Sequence, residues 1–244
     1  MKPIFSRHNQ LFPVILIFLF SLFQSSSSAQ SFRVFKGDTI NVTDKKGLKQ
    51  GVWKRYYEND SLFTITTYKN GKPVSKSLTY YSNGKLQAEV THSSDGKHSV
   101  MKGFHENGKT KVTGFYFNLK KDSVWNYFDE QEMLLSVESY KSGKKNGTWK
   151  TYYLNGKTAE EETWKNGKRE GPAKKYFADG TLKFEGIYKN DKMEGMCRMF
   201  HPNGKVWFSG LYKNGLEEGT WNFFNEKGIK DSVHVFKNGI PATE

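Results

Sequence analysis

From residue 51 onward, apolar and polar positions alternate in short runs, and each run ends in a small polar pair. In GTWKTYYLNGKTAEEETWKNGK, Gly147 to Lys168, one aromatic-rich run closes on Asn155-Gly156 and the next closes on Asn166-Gly167. Neither run holds a helical period. Asn-Gly between alternating hydrophobic residues is the strongest short-range hairpin signal, because both residues tolerate positive φ. The pattern predicts strand, turn, strand, turn, with NGK as punctuation and its lysine leaving the turn into solvent.

The same pattern returns with a fixed period. Equivalents of G-x-W-x-x-Y-Y-x-N-G start at Gly51, Ser75, Ser99, Ser123, Gly147, Gly171, Gly195 and Gly219, each 24 residues after the last. A period between about 20 and 50 residues marks a repeat architecture. Five residues after each start stands an aromatic: Tyr56, Tyr80, Phe104, Phe128, Tyr152, Tyr176, Phe200 and Phe224. Seventeen after it stand Tyr68, Tyr116, Tyr140, Trp164, Tyr188, Tyr212 and Phe236, with His92 as the exception. Cross-strand aromatic pairs stabilise sheets, so both columns are assigned to structure. The predicted fold is all-β, an elongated antiparallel meander of serial β-hairpins forming a twisted single-sheet ribbon. Strand spacing puts equivalent positions of successive repeats about 9.6 Å apart and makes eight repeats roughly 75 to 80 Å long. Serine at three starts, Asp95-Gly96 displaced by one residue and Leu119 in place of a turn glycine mark copies two to four for an altered turn or bulge.

These residues carry a family resemblance. GLKQGVWKRYYEND (Gly47 to Asp60), GTWKTYYLNGK (Gly147 to Lys157) and EGTWNFFNEKG (Glu218 to Gly228) resemble the MORN-repeat variant of bacterial proteins named after the YwqK-type antitoxin. The resemblance implies serial hairpins, a binding or scaffolding role and no reaction. The family name implies a toxin as partner for some members.

The N-terminus is of another kind. Lys2 and Arg7 precede LFPVILIFLFSLF, Leu11 to Phe23, and QSSSSAQ then offers Ser27 and Ala29 to a signal peptidase. The apolar run falls short of the roughly 20 residues of a membrane span, and it reads as a secretory signal peptide, with an uncleaved anchor as the alternative. The chain thus divides into a signal peptide (1–29), a capping hairpin (30–50) and eight repeats (51–244), and no transmembrane segment remains after cleavage. The product would be exported: periplasmic, envelope-associated or secreted. The formal charge, +13, becomes +11 once Lys2 and Arg7 leave. The single cysteine, Cys197, has no partner for an internal disulfide.

Chemistry is scarce. The strict period leaves no loop long enough for a lid or pocket wall, so no catalytic residue is assigned. His105 and His201 lie four repeats apart, and His92, His98 and His105 lack zinc-ligand spacing, so no metal or cofactor is expected. Cys197 occupies the column of Trp53, Trp125, Trp149 and Trp221 and reads as a packed thiol. Glu160, Glu161 and Glu162 alternate across a strand and read as solvated or salt-paired.

What remains is a surface. Lys54, Lys102, Lys150, Lys174 and Arg198 form a cation column, and Lys69, Lys141, Lys165, Lys189, Lys213 and Lys237 form another. Either is a solvated face that discourages edge pairing or a row for an extended anionic partner. The column after the first aromatic varies, and its Tyr57, Tyr81 and Tyr153 are offered as contacts. The expectation is a non-enzymatic scaffold for a protein partner. Anionic glycan, lipid headgroups or a neutralised toxin are the alternatives, and nucleic acid is disfavoured. The edge strand SVHVF, Ser232 to Phe236, leaves edge-to-edge dimerisation open.

Overall fold

The computed structural model describes residues 30–242. The signal-peptide assignment lies outside them. Among the described residues there is no helix; 21 strands form one open sheet in which sequence neighbours pair antiparallel. The strands Ser31–Phe35 and Asp38–Thr43 make the first hairpin, whose Ile40 is buried, and Asp38–Thr43 pairs with Lys49–Tyr56 to start the repeats.

The two turns of each repeat differ. At Asn70-Gly71 both residues have positive φ, 51° and 75°, between the facing Lys69 and Lys72. This is the two-residue turn whose twist matches a hairpin. At the other turn only the fourth residue is left-handed, as at Gly156 (φ 79°). Asn155 there stays in ordinary conformation and takes the Lys157 N–H on its own Oδ1 at 3.0 Å. One dipeptide therefore makes two different turns.

Repeat starts are commonly bulges. Between Glu162↔Ala173 and Trp164↔Arg169 the register shifts, and Gly171 takes up the extra residue at φ 117°, outside the reach of ordinary side chains. Ser75 and Ser123 adopt positive φ, 62° and 57°, in the same role. Ser99 does not. The strands Leu86–His92 and His98–Phe104 pair without a shift, and the Ser99 side chain turns inward to His92.

A single sheet has to bury its apolar face with its own side chains. Five of the buried hydrophobic residues, Met101, Trp125, Ala173, Cys197 and Trp221, come from one column, two after the repeat start. Trp125 and Trp221 sink to 2 % and 4 % exposure because the residue eleven before each is glycine. A Cβ on Gly114 would lie 2.2 Å from the Trp125 ring, and one on Gly210 would lie 2.1 Å from that of Trp221. Trp53 and Trp149, which meet Val42 and Glu138 at that place, stay half-buried. Gly114→Ala and Gly210→Ala should each cost about 2–3 kcal/mol through overpacking, read as a lower denaturation midpoint; a loss under about 0.5 kcal/mol, the usual surface value, would mean the indoles do not lie on these glycines.

Candidate functional site

The residues offered as contacts are occupied. Tyr57 Oη donates to the Tyr80 carbonyl at 2.7 Å, Tyr81 to that of Phe104 at 2.8 Å and Tyr153 to that of Tyr176 at 2.6 Å. His105 and His201 donate from Nε2 to the carbonyls of Phe128 and Phe224, both at 2.9 Å. Five of the eight residues of the variable column are thus clasps from one repeat to the next. At these five positions tyrosine and histidine are interchangeable donors of suitable length, whereas Asp129 and Asn225 accept N–H groups of their own turns. The turn asparagines add to it, since Asn107, Asn155 and Asn203 each donate to a carbonyl one repeat ahead.

The opposite long edge has its own clasps, which the sequence reading missed. Asp122, Glu170, Glu194 and Glu218 accept the N–H of Ser142, Asn190, Asn214 and Asn238, each 20 residues ahead, at 2.8–2.9 Å. The signal was an acid just before four repeat starts.

The first cation column is partly ion-paired. Lys54 pairs with Asp38 at 3.2 Å, Lys150 with Glu161 at 3.5 Å and Arg198 with Glu185 at 3.0 Å. Lys174 stands in register between Glu161 and Glu185, and Lys102 lies over the Phe104 ring. The result is a rung-by-rung ladder, Lys150, Glu161, Lys174, Glu185, Arg198, in place of a uniform cationic row. Glu160 and Glu162 face Lys175 and Arg169 at 3.0 and 3.9 Å. Exposed pairs of this kind are worth about 0–1 kcal/mol each, and here they neutralise a face.

The second column keeps its charge. Lys69, Lys141, Lys165 and Lys189 stand directly opposite Lys72, Lys144, Lys168 and Lys192 at the two-residue turns. None of these eight forms an ion pair. Like charges directly opposite oppose pairing.

On the same face, one row inward, the side chains are apolar. Ile187, Met196, Leu211 and Val235 are 40–54 % exposed, and Pro172 faces Ile187 as Met196 faces Leu211. Alternation along each strand puts Ile187 with Lys189, Leu211 with Lys213 and Val235 with Lys237.

The other face is aromatic, and cations are built into it. Lys49, Lys121 and Lys145 lie 4.3, 4.4 and 3.9 Å from the rings of Trp53, Trp125 and Trp149, and Arg169 lies 4.1 Å from that of Tyr188. Burial holds all three lysines below the usual ammonium range. The Cys197 thiol is pushed up to about 11 by burial, so it stays protonated at neutral pH. His92 binds Ser77 at 2.8 Å and Ser99 at 3.1 Å, beside an open depression of about 490 Å³ lined by His98, Val100, Phe115 and Asp122. Among the described residues no three His, Cys, Asp or Glu side chains gather as a metal site. Nor is any helix long and apolar enough to cross a membrane.

A profile of the family described as MORN repeat variant matches residues 49–70, 74–93, 97–118, 145–166, 169–190 and 193–214, together 130 of 244 residues. No curated protein sequence matches the chain. Among solved structures, the crystal structure of TarM is similar at 15 % identity and TM-score 0.30, over 43 % of this chain and 21 % of that one. An S. aureus TarM mutant in complex with Fondaparinux, alpha-GlcNAc-glycerol and UDP gives 15 %, 0.31, 44 % and 21 %. TcdB2-TccC3-Cdc42 gives 12 %, 0.17, 81 % and 14 %. The chain spans about a fifth or less of these proteins, and their likeness carries no functional argument.

Tyr57→Phe, Tyr81→Phe and Tyr153→Phe should each cost about 1 kcal/mol, the net value of one hydrogen bond, and the Tyr57 and Tyr153 losses should add. Equilibrium denaturation measures this. Unchanged stability would return these hydroxyls to the list of free contacts.

Proposed function

This chain belongs to the MORN repeat variant family, and we propose that it is an exported, non-enzymatic scaffold that binds another protein along one face of its ribbon. The observation that carries the reading is the exposed apolar row of Ile187, Met196, Leu211 and Val235 beside the unpaired turn lysines. Adjoining exposed apolar side chains rimmed by charge mark interaction surfaces. A hydrophilic glycan has no use for that row, whereas a protein with an apolar strip and acidic flanks fits both parts.

The finer parts of the reading rest on sequence. Leu11 to Phe23 supports export behind a signal peptide. The likeness to YwqK-type antitoxins makes a toxin one such partner. Lipid headgroups on an anionic surface are the second reading, supported by the same pairing of apolar row and lysines.

The test compares the unaltered protein with a variant carrying Ile187→Ser, Met196→Ser and Leu211→Ser. Stability should change by no more than about 0.5 kcal/mol per site, as at other surface positions. A partner protein retained at high salt by the unaltered chain should be lost. Equal retention by both would remove the apolar row from the interface; capture of anionic vesicles and no protein would favour the lipid reading.

A further inference from the structure

The two-residue turns line one long edge of the ribbon, and their facing lysines are not spread evenly along it. Three consecutive rungs carry a pair: Lys141 faces Lys144, Lys165 faces Lys168 and Lys189 faces Lys192. All six are exposed, and none forms an ion pair. The acids of this edge are engaged elsewhere. Asp122, Glu170 and Glu194 each hold the backbone N–H of a turn, and Asp191 lies against Arg169. Like charges directly opposite weaken a strand pair, yet the chain sets three such pairs in succession while it answers Lys150 with Glu161 and Arg198 with Glu185.

The rungs on either side differ. Lys213 faces Leu216 and Lys237 faces Ile240, and these two apolar residues are 46 and 69 % exposed. In the other direction Phe117 faces Lys120, and the hairpin from His92 to Ser99 has no lysine pair across it. The edge therefore holds one stretch of six lysines, in copies four to six, which adjoins the apolar row of copies six to eight.

Contact between turns fixes the interval of these rungs. The N–H groups of Gly143, Gly167 and Asp191 donate to the carbonyls of Lys121, Lys145 and Arg169 at 2.7, 2.8 and 3.1 Å, and a Cβ on Gly143 would lie 3.5 Å from that of Lys120. Each turn rests on the strand before it, so twist does not fan the edge open. The lysine pairs keep the spacing of two strands, about 9.6 Å.

A complementary chain has to present negative charge on one side at that interval. A β-strand returns to the same side every second residue, about 6.6 Å, and then at about 13 Å, missing the interval both times. An α-helix comes back after seven residues and about 10.5 Å. Polyproline II comes back every third residue, about 9.3 Å, which is the nearest match. It also needs no free strand edge, because its backbone stays solvated.

We propose that the lysine pairs of these three rungs bind an acidic segment of a partner protein, which lies along the turn edge as a polyproline II helix with a carboxylate at every third residue. Each carboxylate enters between the two lysines of one rung and relieves their repulsion. Residues beyond the acidic stretch then reach Leu216, Ile240 and the apolar row. That the segment belongs to a protein rests on the protein-binding reading above; the interval of the rungs does not.

The probes are two labelled peptides of equal composition, Ac-(Glu-Pro-Pro)4-NH2 and Ac-(Glu-Glu-Pro-Pro-Pro-Pro)2-NH2, titrated into the unaltered full chain and followed by fluorescence anisotropy. The first aligns all four carboxylates on one side, and the second aligns no more than two. The first should bind about tenfold tighter, in the range of added exposed ion pairs, and should weaken as salt rises. A variant with Lys144→Ala, Lys168→Ala and Lys192→Ala should lose about the same tenfold and keep an equal or higher melting temperature, since it removes like-charge pairs. Lys85→Ala, Lys109→Ala and Lys227→Ala remove the same charge from the other long edge, beyond a Debye length, and should change binding by less than about twofold. Equal affinity for the two peptides would make the edge a general polyanion surface and overturn the proposal, as would undiminished binding by the first variant. Failure of the protein-binding reading looks different, since partner capture would then ignore the apolar row while the peptides still discriminate.

Discussion

The structure depends on one constraint: a sheet one layer thick has nothing to bury its apolar face against except itself. Every other feature answers that constraint. Indoles lie down on the sheet where glycine allows it, at Gly114 and Gly210, and lysine ammonium groups meet the rings of Trp53, Trp125 and Trp149. A lysine can do this because its methylene stem packs while its charge stays near water. A second layer made of side chains replaces the second layer of secondary structure found in ordinary domains.

Such a ribbon is held together only by nearest neighbours, so its rigidity is the sum of its repeat-to-repeat contacts. The ladder of backbone hydrogen bonds is one term. The clasps on the two long edges are another. On one edge tyrosine, histidine and asparagine reach a carbonyl one repeat ahead; on the other a carboxylate holds the first N–H of the next turn. Both edges are tied, so the hairpins cannot splay independently. The face with the apolar row is presented on a frame whose twist is fixed, which reduces the ordering cost of binding an extended partner.

The open antiparallel sheet of serial hairpins was legible because its turn signals depend on residues in one copy and recur in the next. What was not legible depends on pairs from different columns. Lys150 reads as a free cation until Glu161 is placed across the strand from it, and Tyr57 reads as a recognition residue until the Tyr80 carbonyl is placed above it. Asn-Gly appeared to mean one turn and means two, since a two-residue loop and a four-residue loop both use it. The lysine four residues before Trp53, Trp125 and Trp149 was not legible because the rings it meets come from two different strands.

Departures from the repeat are the natural place to look for function, but a departure has to be judged by whether its surroundings answer it. Copies two and three exchange an indole, an aromatic and a glycine for Ser77, His92 and Ser99, and the three side chains bond to one another. The bulge closes up, both imidazole nitrogens are satisfied, and the change is complete within the chain. In the last copy the walls around Trp221 keep their spacing, the cation becomes a carboxylate, and the indole N–H loses its acceptor. The carboxylate is answered by the Tyr212 hydroxyl, which bonds to it. A buried donor left without an acceptor costs about 1–3 kcal/mol, and a chain this repetitive had three working templates for avoiding that cost, in Trp53, Trp125 and Trp149. The first departure is a different solution to packing. The second exchanges a cation over the rings for a carboxylate hydrogen-bonded to Tyr212, and Trp221 stays 4 % exposed under Phe208, Tyr212 and Phe236 with no lysine above it.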